Sequence, residues 1–135
     1  MPIEIRWLKP NHILISQWHG HVTCQDMVVL IEELQRILQS APRPIHTLLD
    51  MSEAEGYEKG IVELYFDSPV PRHPNRGTLA VVNAPPSLLS MIEDANRIAG
   101  YKVIHIFNDY QSAQQFLLSR DSSEDAAPPA PPKQT

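Results

Sequence analysis

The chain is short of glycine, cysteine and positive charge, and each shortage closes off a class of function. Five glycines among 135 residues are too few and too scattered for a loop that cradles phosphates. No Gly-x-Ser-x-Gly nucleophile elbow and no spaced metal motif occurs either. The single cysteine, Cys24, cannot form an internal disulfide, which fits a reducing compartment. Eleven Lys and Arg stand against sixteen Asp and Glu, giving a formal charge of −5, whereas nucleic-acid binding normally needs a basic stripe. The nearest approach to one is Arg72-His73-Pro74-Asn75-Arg76, read either as an anion contact or as a solvated loop. No apolar run approaches the roughly 20 residues of a membrane span. The opening Met1-Pro2-Ile3-Glu4-Ile5-Arg6 lacks the apolar core of a signal peptide, so the expected location is cytoplasmic.

What the chain does have is an alternation of β-branched runs with amphipathic helical patterns. Residues 3–8 and 13–18 read as strands around the polar turn Lys9-Pro10-Asn11-His12, an antiparallel hairpin. Thr23 stands where a helix N-cap belongs, its hydroxyl free to accept from the Asp26 N–H, and the Asp26 carboxylate in the first turn favours the helix dipole. From about 24 to 39, Met27, Leu30, Ile31, Leu34, Ile37 and Leu38 form one apolar stripe, ended by Ala41-Pro42-Arg43-Pro44. Residues 45–50 and 79–83 are the third and fourth strands. The interval 51–78 holds three prolines and three glycines and reads as a long loop, with a short helix over 61–66. A helix over 88–99 stopped by Gly100, a fifth strand over 103–107 and a last helix capped at Asn108-Asp109 complete the order.

These elements predict an α/β fold: a single mixed five-stranded sheet, an N-terminal antiparallel hairpin followed by parallel βα units, with three to four helices. The folded domain is expected over residues 1–120. Residues 121–135, rich in proline, serine, glutamate and alanine without a large apolar residue, are expected to be a disordered tail.

The order of elements resembles that of the STAS domain, the SpoIIAA-like fold of anti-sigma-factor antagonists. Four stretches carry the resemblance: residues 20–38 at the turn into the first helix; Ile45-His46-Thr47-Leu48-Leu49-Asp50-Met51-Ser52, an apolar strand ending in Asp-x-Ser; Leu79-Ala80-Val81-Val82-Asn83; and residues 107–117, a strand, acidic turn and helix. The likeness spans residues 3–119 and implies binding rather than catalysis, with no cofactor. In phosphorylated members the switch serine begins the helix after the third strand, within an Asp-Ser-x-Gly type sequence. Here that stretch is Met51-Ser52-Glu53-Ala54-Glu55-Gly56-Tyr57-Glu58-Lys59-Gly60, which departs from the pattern in having no Asp-Ser pair before a glycine. It is closer to the stand-alone SpoIIAA-like proteins, for which the resemblance implies small apolar or lipid-like ligands or partner docking.

Parallel sheets place working residues beyond the carboxyl ends of their strands, which directs attention to Asp50 and Ser52. The candidate binding residues are Asp50, Ser52, Tyr57, Tyr65, Arg72 and Arg76, with Ser52 the candidate phosphoacceptor. A simpler reading has Asp50 and Ser52 bonding only to backbone N–H groups of a turn. Three functions follow: a non-enzymatic binding or signalling module meeting a protein or small ligand; a carrier of an apolar ligand, with Tyr57, Ile61, Leu64, Tyr65 and Phe66 as a flap; and a small hydrolase, requiring His73 or another histidine beside a nucleophile. His19, His21 and Cys24 have metal-ligand chemistry but lack a fourth partner, so no metal is expected, and His105 reads as a sheet-face residue. The first strand is a candidate edge for a homodimer, although Lys9 and Pro10 discourage edge pairing.

Overall fold

The computed structural model describes residues 2–99 and 104–126. Its elements run β1 (Ile3–Lys9), β2 (Ile13–Val22), α1 (Cys24–Ser40), β3 (Ile45–Tyr57), α2 (Ile61–Asp67), a 3-10 turn at Val70–Arg72, β4 (Arg76–Val82), α3 (Pro86–Ala99), β5 (Ile104–Phe107) and α4 (Tyr110–Ala126). One five-stranded sheet has the order β1-β2-β3-β4-β5, antiparallel between β1 and β2 and parallel thereafter. The mixed sheet expected from the sequence is therefore the one that forms.

Because each parallel strand is laid beside the last in one direction, right-handed crossovers put α1, α2 and α3 on the same face. There Leu14, Trp18, Leu79, Val81 and Ile104 of the sheet meet Met27, Leu30 and Leu34 of α1, Ile61 of α2, and Leu88 and Ile92 of α3. The other face packs Ile13, Ile15, Leu48, Ala80 and Val82 against Ala113 and Leu117 of α4. Central strands covered on both faces have no use for a polar alternation, which explains the unbroken apolar run Ile13-Leu14-Ile15.

Local chemistry fixes the element ends. The Thr23 hydroxyl accepts from the Asp26 N–H at 3.1 Å, and the Asp26 carboxylate accepts from the Thr23 N–H at 2.9 Å, a complete capping box. The β1–β2 turn needs a left-handed residue and uses Asn11, at φ 63°. On β3, His46 is buried and its Nδ1 accepts from the Thr78 N–H at 2.9 Å. Gly77 leaves room for that ring, since a Cβ there would stand 2.6 Å from His46 Nδ1.

Two boundaries differ from expectation. Residues 51–57, expected as loop, belong to β3, because β2 runs on to Val22 and supplies a ladder for them. The boundary expected near Asp121 falls inside α4, which continues to Ala126; residues 127–135 lie outside the described residues. Asp121 stands one helical turn beyond Leu117 and only 1% of it is exposed. Its carboxylate accepts from Lys9 Nζ at 2.6 Å and Arg43 Nη2 at 3.3 Å and meets His12 Nδ1 at 2.8 Å. One acid thus ties α4 to the β1–β2 turn and to the segment between α1 and β3.

Burial pushes the Asp121 carboxyl up, but the bonds from Lys9 and His12 and their charges outweigh it and hold it below the ordinary carboxylate value. A carboxyl lowered in the folded state stabilises above its unfolded pKa of about 3.9, and that stabilisation disappears as the pH falls through the folded value. Asp121→Asn is expected to lose roughly 1–3 kcal/mol at neutral pH. Denaturant titrations of both proteins should show the gap closing below about pH 4; a gap independent of pH would contradict the assignment.

Candidate functional site

Asp50 lies opposite Val82, at the end of β4 and midway along β3, and it is buried. Its Oδ1 accepts from the Ser52 N–H at 2.9 Å and from the Ser52 hydroxyl at 2.6 Å. Between the pairs Gln17–Asp50 and His19–Glu53, β3 carries one residue more than β2. This bulge turns Ser52 out of the ladder into solvent. The exposed hydroxyl also accepts from Asn83 Nδ2 at 2.9 Å. Asn83 follows β4 directly, adopts φ 55°, and donates its own N–H to the Phe107 carbonyl at 3.1 Å. Three successive strands are thereby joined: β3 through Asp50 and Ser52, β4 through Asn83 just after its end, β5 through Phe107.

Tyr57 closes the same end from one side, its hydroxyl 2.6 Å from Ser87 Oγ in the first turn of α3. A second bulge, between Gly20–Ala54 and His21–Gly56, sets the reach of this β2–β3 extension. Glu58 beyond it accepts from the Cys24 N–H at 2.7 Å. The Cys24 thiol donates to the Lys59 carbonyl, and desolvation followed by the charges of Glu58 and Glu63 pushes it above its ordinary value. A thiol so held is protonated at neutral pH and is a poor nucleophile. His19 stands between Glu4 and Glu53, at 3.4 and 3.1 Å. Among the described residues no group of three or more His, Cys, Asp or Glu is gathered for a metal.

The six candidate residues fall in different places. Asp50 and Ser52 bond to one another beside the end of β4, Tyr57 at the far end of β3 reaches Ser87 of α3, Arg72 and Arg76 lie before and at the start of β4, and Tyr65 lines the cavity described below. Arg76 opens β4 opposite Ile45, while Asp50 lies opposite Val82, about 20 Å along the strands at 3.3 Å per residue. Arg72 is exposed and donates to the Ser68 carbonyl at 2.8 Å, and Arg76 Nε donates to the Pro71 carbonyl at 2.6 Å. His73, the histidine considered for hydrolysis, accepts from the Asn75 N–H at 3.0 Å in the same lower turn. Tyr65 packs edge-on against Phe66, ring centroids 5.2 Å apart.

Between the sheet and α1–α3 lies an apolar cavity of about 80 Å³. Ile61, Tyr65 and Phe66 of α2 roof it, Leu14, Ser16 and Trp18 of β2 form part of its floor, and Arg76 stands at its lower rim. Tyr57 and Leu64, also expected in a flap, do not line it. Asn83 and Ser87 of the strand-end site were not singled out from sequence. An Asn between a strand and Ala84-Pro85-Pro86 is the signal that could have flagged a left-handed corner.

Comparison with solved structures places the fold. The chain is similar to an uncharacterized protein from the DUF3478 family with a SpoIIAA-like fold from Shewanella loihica PV-4, at 19% identity and TM-score 0.58, over 85% of this chain and 91% of that one. It is also similar to the anti-sigma factor antagonist SpoIIAA in its unphosphorylated form, at 9% identity and TM-score 0.62, over 87% and 97%. The Bacillus cell fate determinant SpoIIAA in the phosphorylated form matches at 8% identity and TM-score 0.55, over 84% and 98%. No protein-family model and no curated protein matches the sequence. The protein therefore has the SpoIIAA-like fold, and at these identities the likeness carries the fold alone. No helix among the described residues is long and apolar enough to cross a membrane.

Asn83 gives a direct check on the corner. Asn83→Gly removes the bond to Ser52 but keeps the left-handed backbone, whereas Asn83→Ala also incurs about 1–2 kcal/mol of strain. Thermal melts are expected to rank wild type above Asn83→Gly and Asn83→Gly above Asn83→Ala; equal losses would mean the backbone conformation contributes nothing.

Proposed function

We propose that the protein is a non-catalytic binding module that recognises a protein partner at the strand-end surface around Asp50, Ser52, Asn83 and Tyr57. The observation that carries this reading is the Ser52 hydroxyl, exposed yet fixed from both sides by a buried carboxylate and by a neighbouring strand's amide. A group held rigidly in solvent loses little freedom when a partner bonds to it. The chemistry at hand favours recognition over reaction: Cys24 is held as a thiol, and the Ser52 hydroxyl already donates to Asp50 and accepts from Asn83.

The solved neighbours include SpoIIAA in unphosphorylated and phosphorylated forms, an anti-sigma factor antagonist, which supports a protein partner for this chain as well. The helix after β3 begins here at Ile61, capped by Gly60 and preceded by Glu58 and Lys59, so its start offers no hydroxyl to a kinase. Ser52 is the acceptor that this end of the sheet does offer. A phosphate on it would bring nearly two negative charges against Asp50 and Glu53 and abolish its bond to Asp50. Recognition in the unmodified state, with phosphate as the off signal, is the arrangement this geometry supports.

A second reading rests on a different observation, the cavity under α2. Its roof of Ile61, Tyr65 and Phe66 favours a carrier of a small, largely apolar ligand, and the two readings are compatible in one molecule.

To test the first reading, immobilised wild-type protein, Ser52→Ala and Ser52→Glu are challenged with extract of the native host, after melts confirm that all three fold. Proteins retained by the wild type are expected to be depleted severalfold on Ser52→Ala and lost on Ser52→Glu. An identical set on all three would remove the strand-end surface as the site.

A further inference from the structure

The face of β2 that meets α1 presents Leu14, Ser16 and Trp18 in alternation, and all three line the cavity. Ser16 is 2% exposed and Trp18 3%. Neither Ser16 Oγ nor Trp18 Nε1 has a hydrogen-bond partner among the described residues. Buried polar side chains are nearly always paired. Here two unpaired groups stand two residues apart on one strand face, in side chains that both line the same void.

Their chemistry defines what would complete them. An indole N–H only donates, while a serine hydroxyl donates and accepts, so one acceptor oxygen placed between them satisfies both. A neutral ligand is favoured at this point, because the two unpaired groups of Ser16 and Trp18 are uncharged and do not by themselves compensate the burial of a charge. The remaining cationic group at the rim, Arg76, directs its Nε to the Pro71 carbonyl. Most of the remaining lining, Leu30, Leu34, Met51, Ile61 and Leu88 among it, offers dispersion contacts only, with Thr47, Thr78 and Tyr65 as further polar residues. A volume of about 80 Å³ is roughly half that of the engineered cavity of about 150 Å³ that takes benzene. The body of the ligand is correspondingly small.

We propose that the cavity between β2 and α2 is a binding site for a small neutral molecule with a short aliphatic body and one acceptor oxygen, a short-chain ketone, alcohol or ester, anchored by Ser16 and Trp18. This deepens the carrier reading and rests on it: α2 is the roof, and the polar pair on β2 supplies the selectivity that an apolar void lacks.

The chain carries its own control, since of its two tryptophans Trp7 is 37% exposed on β1 and Trp18 is buried. Full-length ¹⁵N-labelled protein is titrated with acetone and with 2-propanol while the two indole N–H resonances are followed; xenon, which has no acceptor, is added in a parallel series. The Trp18 resonance is expected to move saturably with both oxygenated probes while Trp7 drifts only linearly. Ser16→Ala is expected to weaken acetone binding roughly fivefold and leave xenon binding unchanged, the effect of losing one hydrogen bond. A Trp18 resonance that stays fixed or drifts like Trp7 while xenon binds would overturn the polar anchor and leave the carrier reading standing. Equal acetone affinity in Ser16→Ala would overturn it too. Exclusion of both xenon and acetone would remove the carrier reading and this inference together.

Discussion

The fold depends on the direction in which its strands are laid down. With the order β1-β2-β3-β4-β5, every crossover between parallel strands turns the same way and deposits its helix on one face. That face receives three helices and the other only α4. The imbalance has consequences for function. Three helices of unequal length, α1 of 17 residues, α2 of 7 and α3 of 14, cover the crowded face, and the cavity lies between all three and the sheet. The single helix on the far face instead fits closely, with Ala113 and Leu117 fully buried and Asp121 fastening its distal part.

The same topology separates the two candidate regions. A crossover between parallel strands leaves the carboxyl end of one strand and must return to the amino end of the next. Asp50 and Arg76 bracket such a crossover, so they lie at opposite ends of the sheet however close they are in sequence. Arg76 therefore stands at the other end of β4 from Ser52. What stands at the upper end instead comes from later in the chain: Asn83 after β4 and Ser87 at the start of α3.

Much of the architecture was legible because it is local. The Thr23–Asp26 capping box, the apolar stripe of α1, the short helix at 61–67 and the apolar runs of β2 and β4 each follow from residues within a turn or two of one another. What sequence did not disclose depends on distant partners. The acidic run from Ser52 to Tyr57 has no strand pattern of its own and becomes strand only because β2 extends beside it, through two bulges. Asp121 reads as part of a polar tail until Lys9, His12 and Arg43 are brought beneath it. At the candidate site, Asp50 and Ser52 were legible as a local pair, and their bonding is the local one expected. The contribution of Asn83 was not, because it arises across strands.

Both proposed sites leave α4 aside: on this proposal binding falls to the carboxyl-terminal end of β4 and to the three-helix face, while the α4 face serves stability. Hydrogen–deuterium exchange of the full chain, compared in buffer and in the presence of the host fraction it retains, reads that claim directly. Added protection is expected in peptides covering residues 50–57 and 83–89, with peptides from residues 110–122 unchanged. Protection concentrated on α4 instead, with the strand ends exchanging as before, would contradict it.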